Sequence, residues 1–280
     1  MIRIVLAVSA LVLLTLLLLP FQVAGILFNS RLQRIVPHLY HRGVCAIIGI
    51  RIHQVGQRCD DRPLLILSNH VSWLDIIVIT AITPVVFVAK SEVAGWPIFG
   101  WLAKLQRTVF IERERRQKTG EATREMANRL NGGDAVVLFA EGTSSDGNRI
   151  LPFRSALVGA VHHALGDSTH HSGVRVQPLS VAYTGIGGVP SGRALRDKMA
   201  WYGDADLMPH VLGVLASGAV DVTVSFGPAV AYDMSADRKR IARDAEASVR
   251  RMTATALRRP PTVPDRTAPD ETGVLSPTAT

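Results

Sequence analysis

Hydrophobic positions fall into two regimes along the chain. Residues 4 to 19 are apolar except Ser9 and Thr15, and the apolar character resumes after Pro20 through Phe28. A stretch of about twenty such residues is enough to cross or deeply enter a bilayer. Beyond it, short apolar runs alternate with helical patterns. That alternation predicts an α/β architecture, a mixed, mostly parallel sheet flanked by helices behind an N-terminal membrane-anchoring helix. Strands are expected at Leu64–Leu67, Val85–Ala89, Thr108–Ile111, Ala135–Phe139, Val174–Tyr183 and Val220–Phe226. Helices are expected over Leu74–Ala81, Arg113–Leu130, Ser155–Leu165 and Ala236–Leu257. Ser235 is placed to cap the last helix, and Asn131-Gly132-Gly133 to stop the second with residues that tolerate a left-handed backbone. Val44 to Ile50 reads either as an element in the membrane surface or as an ordinary core strand or helix. The chain thus divides into an anchor (1–28), a membrane-proximal segment (29–63), a main domain (64–258) and a tail (259–280). The tail carries Pro, Thr and Asp with few large apolar residues, a composition that predicts disorder.

Charge refines the picture. The net charge is +8, with 31 basic residues of which only Lys90, Lys104, Lys118, Lys198 and Lys239 are lysine. Arg31, Arg34, Arg42 and Arg51 follow the apolar run, against Arg3 before it, which puts the main domain on the cytoplasmic side of an inner membrane. Only Arg3 marks a positive leader and no A-x-A site follows, so the run reads as a retained anchor rather than a cleaved signal. The arginines are scattered and no nucleic-acid motif appears, so a basic face against anionic lipid is expected in place of nucleic acid. Cys45 and Cys59 stand alone, which suits a reducing compartment. His162-His163 and His170-His171 lack the company of a known ligand set and read as a polar loop, so no metal is expected.

The candidate chemistry lies in Asn69-His70-Val71-Ser72-Trp73-Leu74-Asp75, directly after the strand Leu64–Leu67. A histidine and an aspartate five positions apart, on a turn entering a helix, can come within hydrogen-bonding reach. The imidazole can then take a proton from a hydroxyl while the carboxylate fixes its tautomer and stabilises the imidazolium. The pair taken alone reads as well as a capped helix start with a satisfied histidine. Other chemistries lack their signatures: there is no G-x-S-x-G elbow, no H-E-x-x-H, no P-loop and no G-x-G-x-x-G.

Asn69-His70-x-Ser72-x-x-Asp75 resembles the first signature block of the PlsC-type lysophosphatidic acid acyltransferase family of glycerolipid acyltransferases. Three further stretches resemble that family's later blocks in order: Val109-Phe110-Ile111-Glu112-Arg113, Phe139-Ala140-Glu141-Gly142-Thr143 and Val176-Gln177-Pro178-Leu179-Ser180. The resemblance runs from about residue 64 to 183. It implies the glycerolipid acyltransferase fold and makes the main domain an acyltransferase domain. It implies transfer of a fatty acyl group from acyl-CoA or acyl carrier protein to the sn-2 hydroxyl of 1-acyl-glycerol-3-phosphate, giving phosphatidic acid without a cofactor. His70 would be the general base and Asp75 its orienting partner, with no serine or cysteine nucleophile needed. Arg113 would bind the acceptor phosphate, and Glu141 would position the glycerol or pair with an arginine. Backbone N–H groups near Gly142 and Thr143 would stabilise the oxyanion. Val93 to Leu105, with Trp96 and Trp101, would line an acyl tunnel, enter the membrane interface or pack as plain core.

Two positions depart from the family pattern. Ala140 replaces the usual proline, and Ser144 stands where arginine is common, with Arg154 a possible substitute. That variant, with Trp201-Tyr202-Gly203-Asp204, is similar to bacterial lyso-ornithine-lipid acyltransferases, whose acceptor is zwitterionic and lacks a phosphate. A lyso-ornithine-lipid O-acyltransferase is therefore the alternative. A non-catalytic membrane lipid-binding protein is a third reading, disfavoured by the intact His70 and Asp75.

Overall fold

The structure, a computed structural model, describes residues 1–111, 116–159, 174–232 and 237–259, with the backbone alone for 116–120 and for 122 and 123. Arg113, Ser235, the two histidine pairs, the end of the expected Ser155–Leu165 helix and the tail from 260 lie outside the described residues.

Two helices open the chain, α1 (Ile2–Leu27) and α2 (Leu32–Ile48). Strand β1 (Ile50–Val55) follows, then β2 (Leu64–Ser68), α3 (Leu74–Ile82) and β3 (Val86–Lys90). A 3-10 turn, Ser91–Gly95, leads to α4 (Phe99–Leu105), β4 (Val109–Ile111), α5 (Arg116–Asn131) and β5 (Ala135–Phe139). The remainder comprises β6 (Val174–Ile186), β7 (Val189–Pro190), α6 (Arg193–Asp197), α7 (Leu207–Ser217), β8 (Val220–Phe226), β9 (Val230–Tyr232) and α8 (Arg238–Arg258). The strands form one mixed sheet in the order β1-β8-β6-β2-β5-β3-β4, with β7 and β9 also paired to β6. β2 lies centrally, parallel to both β5 and β6. The antiparallel pairs all involve β6.

β2 has no polar alternation because both of its faces are covered. Successive side chains point to opposite faces of a strand. Leu64 and Ile66 accordingly enter a core with Cys45, Ile48, Leu74, Ile79 and Val214, from α2, α3 and α7. Leu65 and Leu67 enter the other core with Met126, Leu130, Ile241, Ala245 and Val249, from α5 and α8.

Several elements differ from expectation. The sheet reaches back to β1, upstream of the domain boundary expected at 64, because Ile50–Val55 pairs in parallel with β8. The Val44–Ile50 stretch is core: Val44, Cys45 and Ile48 are buried on α2, and Gly49, at φ +90°, turns the chain into β1. Val93–Leu105 buries only Gly100, so it is a surface element rather than plain core. Helix α8 is capped by Asp237, whose side chain accepts from Lys239 N at 2.8 Å, in place of Ser235. Of the arginines behind the anchor, Arg34 and Arg51 are committed to ion pairs with Asp134 and Asp221, both at 2.7 Å.

Among the described residues α1 is the one helix long and apolar enough to cross a membrane. Its 26 residues span about 39 Å. It is tied to the domain along its length. Arg3 donates to Leu215 O (2.9 Å) and Ile48 O (2.7 Å), capping the ends of α7 and α2. Thr15 Oγ1 meets Tyr40 Oη at 3.2 Å, and Gln22 Nε2 donates to Leu105 O at 2.6 Å. A Cβ at Gly25 would lie 2.6 Å from Gln33 N, so glycine permits the close approach of α1 and α2. The opposite face of α1 is exposed and apolar, with Leu6, Leu13, Leu17 and Phe21 outward.

Candidate active site

The site is assembled where β2 ends. Asn69 is buried and clamps the chain to β6: its Nδ2 donates to Val181 O and its Oδ1 accepts from Val181 N, both at 2.9 Å. The next residue, His70, therefore leaves the sheet in a fixed direction. Asp75 stands in the first turn of α3, where backbone N–H groups lack helical acceptors. Its Oδ2 reaches back to accept from Val71 N (2.7 Å) and Ser72 N (3.0 Å), and it meets His70 Nδ1 at 2.8 Å. With 0% exposure, the carboxylate finds its remaining partner in Tyr183, whose hydroxyl donates to Oδ1 at 2.7 Å.

This arrangement sets the tautomer. Facing a carboxylate, Nδ1 carries the proton, and the lone pair is left on Nε2. The ring stacks on Phe139, centroids 3.9 Å apart and planes 14° from parallel, and the side chain keeps 20% exposure through which a hydroxyl can reach it. Burial, followed by the Asp75 charge, holds the Tyr183 phenol well above its usual pKa, so it remains a donor. The sequence alone does not single out Tyr183 as a site residue. Its signal lies in the register: β6 pairs in parallel with β2, and residues 181 and 183 share one face beside the β2 exit.

The third block folds against the first. β5 is in register with β2 through Ser68 and Phe139, and Ala140 N donates to Ser68 O at 3.0 Å. Ser145 N then donates to His70 O at 2.8 Å. Gly142, at φ +73°, makes the turn, and its N–H donates to Phe139 O at 3.0 Å. That commits the Gly142 amide to the turn, and Thr143 beside it is exposed. Arg154 N donates to Ala140 O at 2.8 Å, which brings its exposed side chain to the end of β5. β4 leads toward Arg113, which lies outside the described residues.

Glu141 stands two residues past the end of β5. It is 1% exposed, its Oε1 accepts from Leu151 N at 3.3 Å, and among the described residues no arginine pairs with it. Burial pushes its pKa up to about 8, against the opposing pull of the Leu151 and His70 backbone N–H groups. A carboxyl whose pKa rises from 4.5 to about 8 on folding binds more protons in the folded state between those values. Stability should therefore fall as pH rises through that window and level off above it. Glu141→Gln should flatten the dependence and raise stability at pH 8.5 by on the order of a few kcal/mol. Melting curves of both proteins at pH 5 and 8.5 check this; parallel pH dependences would contradict a buried neutral carboxyl.

Among the described residues no group of three His, Cys, Asp or Glu side chains could hold a metal. Trp101 is exposed, and Trp96 packs edge-on against Trp201 with centroids 5.6 Å apart.

An α/β domain carrying an apolar helix, with a histidine–aspartate pair at its strand ends, has the parts of an enzyme that activates a lipid hydroxyl. The comparisons give the family. A family model described as Acyltransferase matches residues 49–182. The chain is 50% identical to a lyso-ornithine lipid O-acyltransferase of Brucella abortus, over 91% of this chain and 96% of that one. It is 45% identical to the enzyme of that name from Rhizobium meliloti (92% and 88% covered) and 29% identical to a 1-acyl-sn-glycerol-3-phosphate acyltransferase of Neisseria meningitidis (76% and 78% covered). The crystal structure of the 1-acyl-sn-glycerophosphate acyltransferase PlsC from Thermotoga maritima has the same fold, with TM-score 0.56 at 20% identity over 87% of this chain and 95% of that one. The chain belongs to the PlsC-type acyltransferase family of glycerolipid acyltransferases. It is a membrane-associated O-acyltransferase.

Proposed function

We propose that this enzyme is a lyso-ornithine-lipid O-acyltransferase. It moves a fatty acyl group from a thioester, acyl-CoA or acyl carrier protein, to the free hydroxyl of a lysolipid with a zwitterionic amino-acid headgroup. The observation that carries the reading is the pair of relatives so named, aligned over nearly the whole chain at 50% and 45% identity, against 29% for the relative named a 1-acyl-sn-glycerol-3-phosphate acyltransferase. Ser144, in place of the arginine common in phosphate-binding relatives, supports it.

The dyad accounts for the chemistry. The acceptor hydroxyl gives its proton to His70 Nε2 as its oxygen attacks the thioester carbonyl. Asp75, held by Val71, Ser72 and Tyr183, stabilises the imidazolium so formed. The tetrahedral oxyanion collapses, the C–S bond breaks, and the departing thiolate takes the proton back from His70. The Thr143 amide is the candidate donor to the oxyanion. The domain works at the cytoplasmic face of the inner membrane, with α1 in the lipid.

Acyl transfer by detergent-solubilised protein tests the reading. Labelled acyl-CoA and acyl carrier protein are offered as donors, with lyso-ornithine lipid and lysophosphatidic acid as parallel acceptors. Product from lyso-ornithine lipid is expected. Product from lysophosphatidic acid alone would overturn the reading in favour of a phosphatidic acid synthase with Arg113 on the phosphate.

A further inference from the structure

The loop bonded to His70 O and the helix that approaches it carry two opposite charges that the dyad and the family blocks leave unused. The loop after Thr143 is stitched to the catalytic turn. Ser145 N and Oγ both donate to His70 O, at 2.8 and 3.2 Å. Gly147, at φ +69°, packs so closely on Val71 that a Cβ there would stand 3.0 Å from Val71 Cγ1. Between them sits Asp146, half-buried, its Oδ1 accepting from Asn148 N at 3.0 Å.

Arg196 of α6 approaches the same loop. Its Nε donates to Asn148 Oδ1 at 3.0 Å and its Nη1 to Ser191 O at 2.7 Å. Ser191 is bonded in turn to Tyr183 O and Thr184 O, next to the residue that holds Asp75. Arg196 and Asp146 are thus fixed to the supports of the dyad from two sides. Burial and the neighbouring Arg193 lower the Arg196 pKa, and Asp146 is near enough to oppose them. Yet among the described residues neither forms an ion pair. Asn148 stands between the two charges, leaving Arg196 Nη2 and Asp146 Oδ2 without hydrogen bonds among the described residues.

We propose that Asp146 and Arg196 form a subsite for the zwitterionic headgroup of the acceptor, Asp146 taking its ammonium and Arg196 its carboxylate. The proposal rests on the acceptor reading above and extends it to particular residues. Complementary charges held apart and already oriented suit a ligand that carries the opposite pair. A phosphate monoester dianion would meet the Asp146 carboxylate, so the same pair rejects the phosphorylated acceptor.

The test crosses variants with acceptors: lyso-ornithine lipid, its carboxyl methyl ester and its N-acetylated amine, each offered to wild type, Asp146→Asn and Arg196→Gln. Losing one charge-assisted contact should lower kcat/KM about tenfold. Wild type should therefore favour the parent lipid over either blocked form. Asp146→Asn should lose about that factor on the parent, in acceptor KM, and cease to distinguish the acetylated amine while still discriminating against the ester. Arg196→Gln should show the mirror pattern. Variants that keep wild-type discrimination, or that lose all three acceptors equally, would overturn the subsite while the acceptor reading stands. Turnover of lysophosphatidic acid with none of lyso-ornithine lipid would overturn both.

Discussion

His70→Ala is expected to lower kcat by about a thousandfold, within the range a positioned general base contributes. The fold should survive. The imidazole is partly exposed and stacked on Phe139, and Asp75 keeps the Val71, Ser72 and Tyr183 donors when the ring is gone. Circular dichroism and melting temperature should therefore stay near wild type while single-turnover acyl transfer collapses. A variant that retained wild-type turnover would remove His70 from the chemistry.

Asp75→Ala should do more, because it removes an acceptor as well as a catalytic group. The Val71 and Ser72 amides and the Tyr183 hydroxyl would be left buried without it, at about 1–3 kcal/mol each. A loss of about 4 kcal/mol corresponds to a melting-temperature drop of roughly 10 °C in a chain of this size. Activity should fall at least as far as in His70→Ala, since the imidazole loses both tautomer and orientation. Tyr183→Phe supplies the comparison: it removes one hydrogen bond, leaves three on Asp75, and should cost about 1 kcal/mol. Thermal melts of the three proteins decide the matter. Equal stability of Asp75→Ala and wild type would show that the network does not hold the catalytic turn.

What could be read from the chain follows from how local each feature is. β2 and β5 are legible because both faces of each are covered and the runs are unbroken. β1 is not, because Ile50-Arg51-Ile52-His53-Gln54-Val55 lies at the sheet edge and mixes polar with apolar positions. α7 hides behind Pro209 and Gly213, residues that usually mark a break. His70 and Asp75 are readable because the five-residue spacing makes their contact local. Tyr183 is more than a hundred positions from the turn it supports, and the pairing of β6 with β2 brings it there. For Glu141 the position is visible and the environment is not: the turn at Gly142 buries the carboxyl against Leu151.

The bonds from Arg3 to Leu215 and Ile48 and from Gln22 to Leu105 make α1 part of the folded body rather than a detachable tether. Ile4, Leu11 and Leu14 pack on the same core as Ile48 and Val214. Cutting α1 away would strip that core of these three side chains and leave the ends of α7 and α2 without the Arg3 bonds. The stability of the acyltransferase domain is therefore coupled to the presence of α1.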